Sequence, residues 1–387
     1  MAVSDPLPGA PDPWASSTIP PWRAGPPYAM TEMIAAEPAL AERLARRLVA
    51  DAAVSDLASA IRTAADSASA ITITGCGTSE HAAIGGAEIL NAALTRVGKR
   101  PVVRALQAFE TLRHPEPAGL LVAVSHEGGT EATIEAMRVA RAAGVRVGLV
   151  TVSGRSPAAA LADMVVETAE QDRSWCHTVG YLSPVVVFGA IGASLAGEQL
   201  DALALRALLD AAEQGPAAEE VAAQLLPCER LIVAGFGVDY ATARELALKI
   251  EEGARLPAVA HEVETVRHGH LAAADRRTGL VLVWSDAERP LPASILRRQL
   301  GLLEAAAALT MPAAAILDVE NGPRVPLELT PAGRLSIPST RRMDPALEAL
   351  AGAAIPLQLL TERLARARGV NPDTLGREDP RQVAAAG

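Results

Sequence analysis

Residues 71–90 read ITITGCGTSEHAAIGGAEIL, and residues 231–250 read LIVAGFGVDYATARELALKI. Each opens on an apolar run rich in β-branched residues, breaks at Gly-x-Gly and continues in helix formers, the pattern of buried strand, tight turn and helix. Aligned on Gly75 and Gly235, an offset of 235 minus 75, or 160, also brings Gly77 onto Gly237, Ala83 onto Ala243 and Ala87 onto Ala247. The same offset lays LLVAVS at 120–125 on LVLVWS at 280–285, and so Ser125 on Ser285. A third apolar run follows in each copy, VRVGLVTV at 145–152 and AAAILDV at 313–319. Short apolar strands alternating with helical segments predict an α/β fold of two tandem, doubly wound parallel sheets, each in an α/β/α sandwich.

Outward from the repeat, eight prolines within residues 1–27 predict a disordered arm, because proline blocks both helix and ladder hydrogen bonds. Helical periodicity from Thr31 to about Ala65 predicts N-terminal helices over 28–70. The first α/β domain is expected over 71–200, a helical connector containing Gly215 and Pro216 over 201–230, and the second domain over 231–370. A long helix is expected over 344–368 and an irregular tail over 371–387. The stretch 174–197 carries no acidic or basic residue, yet its Ser174, His177, Thr178, Ser183 and Pro184 and its lack of consistent positive flanks read as a buried helix rather than a membrane span.

The 387 residues are 50% hydrophobic and only 3% aromatic, so a large core must be built from Ala, Val, Leu and Ile. Thirty-five basic against 45 acidic residues, with no long basic run, argue against a nucleic-acid surface and for a small solute as partner. Cys76, Cys176 and Cys228 form no CxxC pair, which predicts neither a disulfide framework nor a thiolate metal site and fits a reducing cytoplasm.

A dinucleotide fingerprint needs a third glycine three residues after the Gly-x-Gly turn, and those positions are Glu80 and Tyr240, so a nicotinamide cofactor is not expected. What remains at the first turn is Cys76, Gly77, Thr78 and Ser79 at a helix N-terminus, suited either to an anion and sugar hydroxyls or simply to capping the helix. A second polar turn, Ser125-His126-Glu127-Gly128-Gly129-Thr130, again lies between a strand and a helix. Ligands of open α/β sheets bind outside the carboxyl ends of strands, so two such turns point to one crevice.

Together GCGTSEHAA (75–83), the Ser-x-x-Gly-x-Thr turn at 125–130, GFGVDYATARELALKIEE (235–252) and RHGHL (267–271) resemble the sugar isomerase, or SIS, proteins with two SIS domains. The likeness is greatest to the isomerase half of the glutamine-fructose-6-phosphate aminotransferases, and it runs from about Tyr28 to Arg368. The resemblance implies a sugar or sugar-phosphate ligand held by Cys76, Gly77, Thr78, Ser79, Ser125, His126, Glu127, Gly128 and Thr130. It also implies a proton-shuttling Glu252 after Ala247-Leu248-Lys249. A ring-opening His268 is implied in turn, and because that histidine serves a neighbouring subunit's site in the family, a homodimer. Aldose–ketose chemistry needs a base to move a proton between adjacent carbons and a group to open the ring, roles a carboxylate and an imidazole can fill. Glu252 also reads as a solvated helix carboxylate beside Glu251, and His268 as a loop histidine bonded to backbone.

Three features depart from the aminotransferase pattern. The roughly thirty residues before the N-terminal helices have no room for a glutaminase domain and Met1 is not followed by Cys, so glutamine-dependent amination is not expected of this chain. Lys99 and Lys249 are its lysines, and the tail offers none for a Schiff base with a ketose. Glu127 puts a carboxylate into the phosphate turn, where a like charge at about 4 Å costs about 4 kcal/mol at an effective dielectric near 20. The expected ligand is then unphosphorylated or carries an amine, unless Glu127 points away or His126 is protonated. The expectation is a cytoplasmic isomerase or deaminase acting on a sugar, sugar phosphate or amino sugar without metal or cofactor, or, alternatively, a catalytically silent sugar-derivative sensor.

Overall fold

The computed structural model describes residues 23–113, 119–285 and 292–385. Helices α1 (Ala29–Leu48) and α2 (Ala52–Asp66) come first, separated by Asp51, whose carboxylate caps α2 by accepting the Ala53 N–H at 2.9 Å. The first repeat runs β1 (Ile71–Gly75), α3 (Thr78–Arg96), β2 (Val103–Gln107), the short α4 (Ala108–Thr111), β3 (Leu120–Val124), α5 (Glu131–Ala142), β4 (Arg146–Thr151), β5 (Met164–Glu167) and α6 (Val179–Leu195). Helices α7 (Ala202–Ala211) and α8 (Gly215–Leu225) lead to the second repeat. It runs β6 (Arg230–Gly235), α9 (Val238–Lys249), β7 (Ala258–Glu262), the short α10 (Val263–Arg267), β8 (Thr278–Trp284), α11 (Ala293–Ala308), β9 (Ala313–Asp318), β10 (Arg334–Ile337) and α12 (Pro345–Ala367), after which α13 (Pro380–Ala385) ends the described chain.

Each sheet has five parallel strands, in the orders β2-β1-β3-β4-β5 and β10-β9-β8-β6-β7, so the two share one topology. The central strands are buried along their length because helices cover both faces, which is why they read as unbroken apolar runs. The edge strands β2 and β7 are half exposed and mixed in composition, and the sequence pattern did not reveal them.

Both Gly-x-Gly turns adopt the same backbone. Gly77 and Gly237 lie at φ 57° with ψ −127° and −128°, a region that favours glycine. A Cβ on Gly75 would stand 2.7 Å from the Ser79 carbonyl carbon, and one on Gly235 2.4 Å from the Asp239 oxygen, so the strand can approach its helix only through glycine.

The ungapped match of Ser125 with Ser285 fails by one residue. Ala123 pairs with Thr74 and Leu282 with Ala234, so Trp284, two residues past Leu282, occupies the register position of Ser125. Side chains alternate faces along a strand, and a slip of one turns Ser285 away from the place Ser125 holds.

The stretch at 174–197 holds α6, apolar all round and buried, and among the described residues no helix is long and apolar enough to cross a membrane. Helix α12 is also buried over most of its length, and one apolar cluster joins α1, β1, α6, β6 and α12, fusing the two repeats across a common core. The disordered arm expected over 1–27 falls mostly on residues 1–22, outside the described residues, while Arg23 bonds the Pro27 carbonyl and Glu32, each at 2.7 Å. The connector expected over 201–230 holds two helices, α7 and α8, and Gly215 and Pro216 open the second. The tail expected to be irregular is docked: Asp373 accepts the N–H groups of Ala29 (2.7 Å) and Met30 (2.9 Å) in the first turn of α1.

Candidate functional site

The carboxyl ends of β1 and β3 carry the two polar turns. At the first, the N-cap residue is Gly77 and no side chain caps α3. Thr78 therefore does not act as the cap; its hydroxyl donates to Glu245 Oε1 of the second repeat at 3.3 Å. Ser79 is buried, and the Cys76 thiol is half-buried, 3.8 Å from Thr133 Oγ1.

In the second turn, Gly128 sits at φ 68°, and Thr130 is the N-cap residue of α5 without a side-chain cap bond. The exposed Thr130 hydroxyl lies 3.5 Å from that of the buried Ser125, which leaves both oriented toward the turn rather than spent on the helix. His126 faces the scaffold. Its Nε2 accepts the Asp172 N–H at 3.0 Å, and burial pushes the imidazole down to about 4, so it stays neutral near pH 7 and supplies no charge to offset Glu127. Glu127 is half-buried, and burial raises its carboxyl above the ordinary range while Arg377 of the tail pulls it back.

Helix α9 delivers a cluster of buried charges. Glu245, Lys249 and Glu252 recur at i, i+4 and i+7, one face of a helix, and the backbone passes from α-helix into a π-helical turn over Ile250–Ala254. Lys249 is fully buried, its Nζ bonded to Glu252 Oε2 and 3.7 Å from Glu245 Oε1. Burial alone would lower this lysine, but Glu252 and Glu245 more than reverse that and hold it well up. His81 of α3 reaches across the repeat boundary, with Nδ1 2.8 Å from Glu245 Oε2. Burial pushes Glu245 up, and Lys249 and His81 together overcome it to keep the carboxylate below its usual range. Glu252 keeps 19% side-chain exposure; burial raises its carboxyl, and Lys249 restrains the rise. A carboxyl raised toward neutrality and open at one edge is suited to accept and return a proton.

Glu252, Leu248, Arg255, Leu375 and Arg377 line a cleft of about 530 Å³. Leu248 also borders the first turn, since a Cβ on Gly77 would lie 3.7 Å from its Cδ2. The tail closes one side. Arg255 bonds Glu378 and Thr374, and the Arg377 guanidinium lies 3.6 Å over the Trp175 ring. His268 stands elsewhere, at the end of α10, with a 75% exposed side chain whose Nε2 is 3.0 Å from Glu264. A smaller cavity of about 170 Å³ at the second sheet includes Ser285 and Glu348, but the Glu348 carboxylate is already occupied by the Ser339 and Thr340 hydroxyls and the N–H groups of Arg341, Arg342 and Met343.

The SIS domain signature matches residues 66–195 and 224–295, together just over half of the chain and containing both turns and the α9 cluster. The chain belongs to the SIS domain family. Among relatives of the SIS chain, the glutamine–fructose-6-phosphate aminotransferase [isomerizing] of Pyrococcus horikoshii is 32% identical over 218 residues, covering 52% of this chain and 35% of the relative. That of Aeropyrum pernix is 27% identical over 370 residues, 91% of this chain and 56% of the relative. The chain thus spans between about a third and just over half of these proteins. Among solved structures, the C-terminal domain of glucosamine-fructose-6-phosphate aminotransferase from Francisella tularensis superposes with a TM-score of 0.76 at 20% identity, over 90% of this chain and 98% of that one. Tagatose-6-phosphate ketose/aldose isomerase from Escherichia coli gives 0.68 at 20% identity over 93% and 98%, a likeness of fold.

The residues that sequence reading missed are Lys249, Glu245, His81 and Arg377. The first two were visible as a one-face helical pattern ending at Glu252; the other two gave no local signal, because their partners lie more than a hundred residues away.

Proposed function

We propose that this SIS protein interconverts an aldose and a ketose derivative of a phosphorylated hexose or amino sugar, with Glu252 moving the proton between the two carbons. The observation that carries this reading is Glu252 itself, part-open to the cleft with its other edge held by buried Lys249. Substrate hydroxyls and phosphate are assigned to Ser125, Gly128 and Thr130 and to the Cys76–Ser79 turn, where N–H groups at helix N-termini favour anions. Glu252 takes the proton from the carbon beside the carbonyl to give an enediolate, the proton of the adjacent hydroxyl passes to the former carbonyl oxygen, and the same carboxyl returns its proton to the neighbouring carbon. Lys249 keeps Glu252 oriented and stabilises its ionised form. The matched aminotransferases, the tagatose-6-phosphate ketose/aldose isomerase and the glucosamine-6-phosphate deaminase of Thermotoga maritima (TM-score 0.64, 16% identity) support a sugar-phosphate substrate class.

His268 is assigned to ring opening in a second copy's cleft, since its exposure leaves it free to project from its own subunit; a homodimer follows, and sedimentation showing a monomer would count against it. The free thiols of Cys76, Cys176 and Cys228 fit a cytoplasmic setting. The decisive experiment follows solvent deuterium entering the carbon positions of fructose 6-phosphate and glucosamine 6-phosphate by NMR. Exchange in the unmodified protein that disappears in Glu252→Gln, with binding retained, is expected. Binding without any exchange would make the protein a sugar-derivative sensor instead.

A further inference from the structure

The cleft contains a cation that no carboxylate of the described residues contacts directly. Arg377 lines it beside Glu252, stacks 3.6 Å above Trp175, and among the described residues has no carboxylate within ion-pair distance. Its Nε is buried and makes no hydrogen bond, although its backbone N–H is used, donating to Thr374. Buried donors in folded proteins are paired as a rule, and an orphan beside a cleft asks for a partner that arrives from outside. The stacking explains how the group stays in place. One face of the guanidinium rests on the indole, which leaves its Nη donors to meet a phosphate in the plane, the geometry for which arginine is suited. The tail that carries it is fixed at both sides of Arg377, by Asp373 on the first turn of α1 and by Glu378 on Arg255. Glu127 of the phosphate turn lies within its electrostatic reach.

We propose that Arg377 determines which sugars enter this cleft, receiving the phosphate of a phosphorylated sugar and offsetting the Glu127 carboxylate that would otherwise repel it. The assignment rests on the sugar-derivative reading of the site and adds a residue and a selection rule to it. A guanidinium is no nucleophile, so Arg377 supplies charge here and not an imine-forming amine.

Calorimetric titration with fructose and fructose 6-phosphate tests the rule. Arg377→Met is expected to weaken fructose 6-phosphate by about tenfold or more while fructose changes by less than about twofold, the difference expected from removing a charge-assisted bond to one ligand only. Adding Glu127→Gln to Arg377→Met should recover part of the lost phosphate affinity. Because Arg377→Met could loosen the tail, Arg377→Lys serves as a second variant; it retains the charge and should keep more phosphate affinity than Arg377→Met. Equal losses for both sugars, or fructose 6-phosphate binding that Arg377→Met leaves unchanged, would overturn the inference while leaving the sugar reading standing. Unmodified protein that binds neither sugar would overturn both.

Discussion

Replacing Lys249 with methionine tests the buried cluster that the proposed chemistry depends on. Methionine has a similar reach and no charge, so Glu245 and Glu252 would be left facing each other without the ammonium between them. Lys249 Nζ is 3.7 Å from Glu245 Oε1, a separation worth about 4.5 kcal/mol at an effective dielectric near 20. Removing one member of a buried ionic set costs about 3–5 kcal/mol, and that is the expected loss of stability at pH 8. The loss should depend on pH, with a sign the structure fixes. Glu252 is already raised by burial, and removing the lysine raises it further. A group whose folded value is raised contributes fully below its unfolded value, near 4.3, and loses that contribution as pH rises through the folded value. Between the two, each unit of acidification should therefore return about 1.4 kcal/mol per titrating carboxyl. Urea unfolding of wild type and Lys249→Met at pH 8 and pH 5 measures this directly. A deficit equal at the two pH values, or below about 1 kcal/mol at pH 8, would refute the picture of a lysine balancing two buried carboxylates.

Two further outcomes follow from neighbouring groups. Glu37 is fully buried, bonded to Gln358 at 2.9 Å, and burial raises its carboxyl well above the usual range, so it costs stability as pH rises through that value. Glu37→Gln should therefore be more stable than wild type at pH 8 and lose that advantage near pH 4; urea midpoints show whether it does, and a variant weaker at both pH values contradicts the sign. His81 acts as a positioning residue for Glu245, and His81→Leu should move the acid limb of the deuterium-exchange rate to higher pH, because a group that lowers both the Glu245 and the Glu252 carboxyls is gone. His81→Asn, which keeps a donor, should restore much of the profile, whereas an unmoved limb in both would assign His81 to packing alone.

The repeat was legible because the central strands are buried on both faces and their sequence has no polar alternation to obscure them. The turns were legible because both glycines of Gly-x-Gly are sterically required. The edge strands were not, since β2 and β7 mix polar and apolar residues over five positions and resemble loops. The match of Ser125 to Ser285 failed because an offset taken at one strand cannot register a one-residue change in the segment leading to the next. The charge argument about Glu127 weighed its orientation and its neighbour His126, but not a cation from elsewhere in the chain. Its neighbour Arg377 comes from a tail whose path is set by Asp373 binding backbone 344 residues earlier in the chain, and no local pattern encodes such a contact.

The same repeat explains why one chain with two equivalent sheets has one candidate site. At an offset of 160, Glu245 corresponds to Gly85, Lys249 to Ile89 and Glu252 to Ala92, so α3 carries none of the α9 cluster's charges. Conversely, Thr78 corresponds to Val238 and His81 to Ala241, and Trp284 fills the register position of Ser125. One copy carries the polar turns of the proposed ligand site and the other the proposed proton-transfer carboxylate and its lysine. Since α3 packs directly on α9, the retained halves meet at that contact, with Thr78 and His81 both bonded to Glu245. At the complementary positions, Val238 and Ala241 of α9 and Gly85 and Ile89 of α3, the side chains are apolar and can bind little that is polar. Divergence of the copies thus concentrates the chemistry on one side of the α3–α9 contact, and separating the repeats should abolish the site even if each sheet survives.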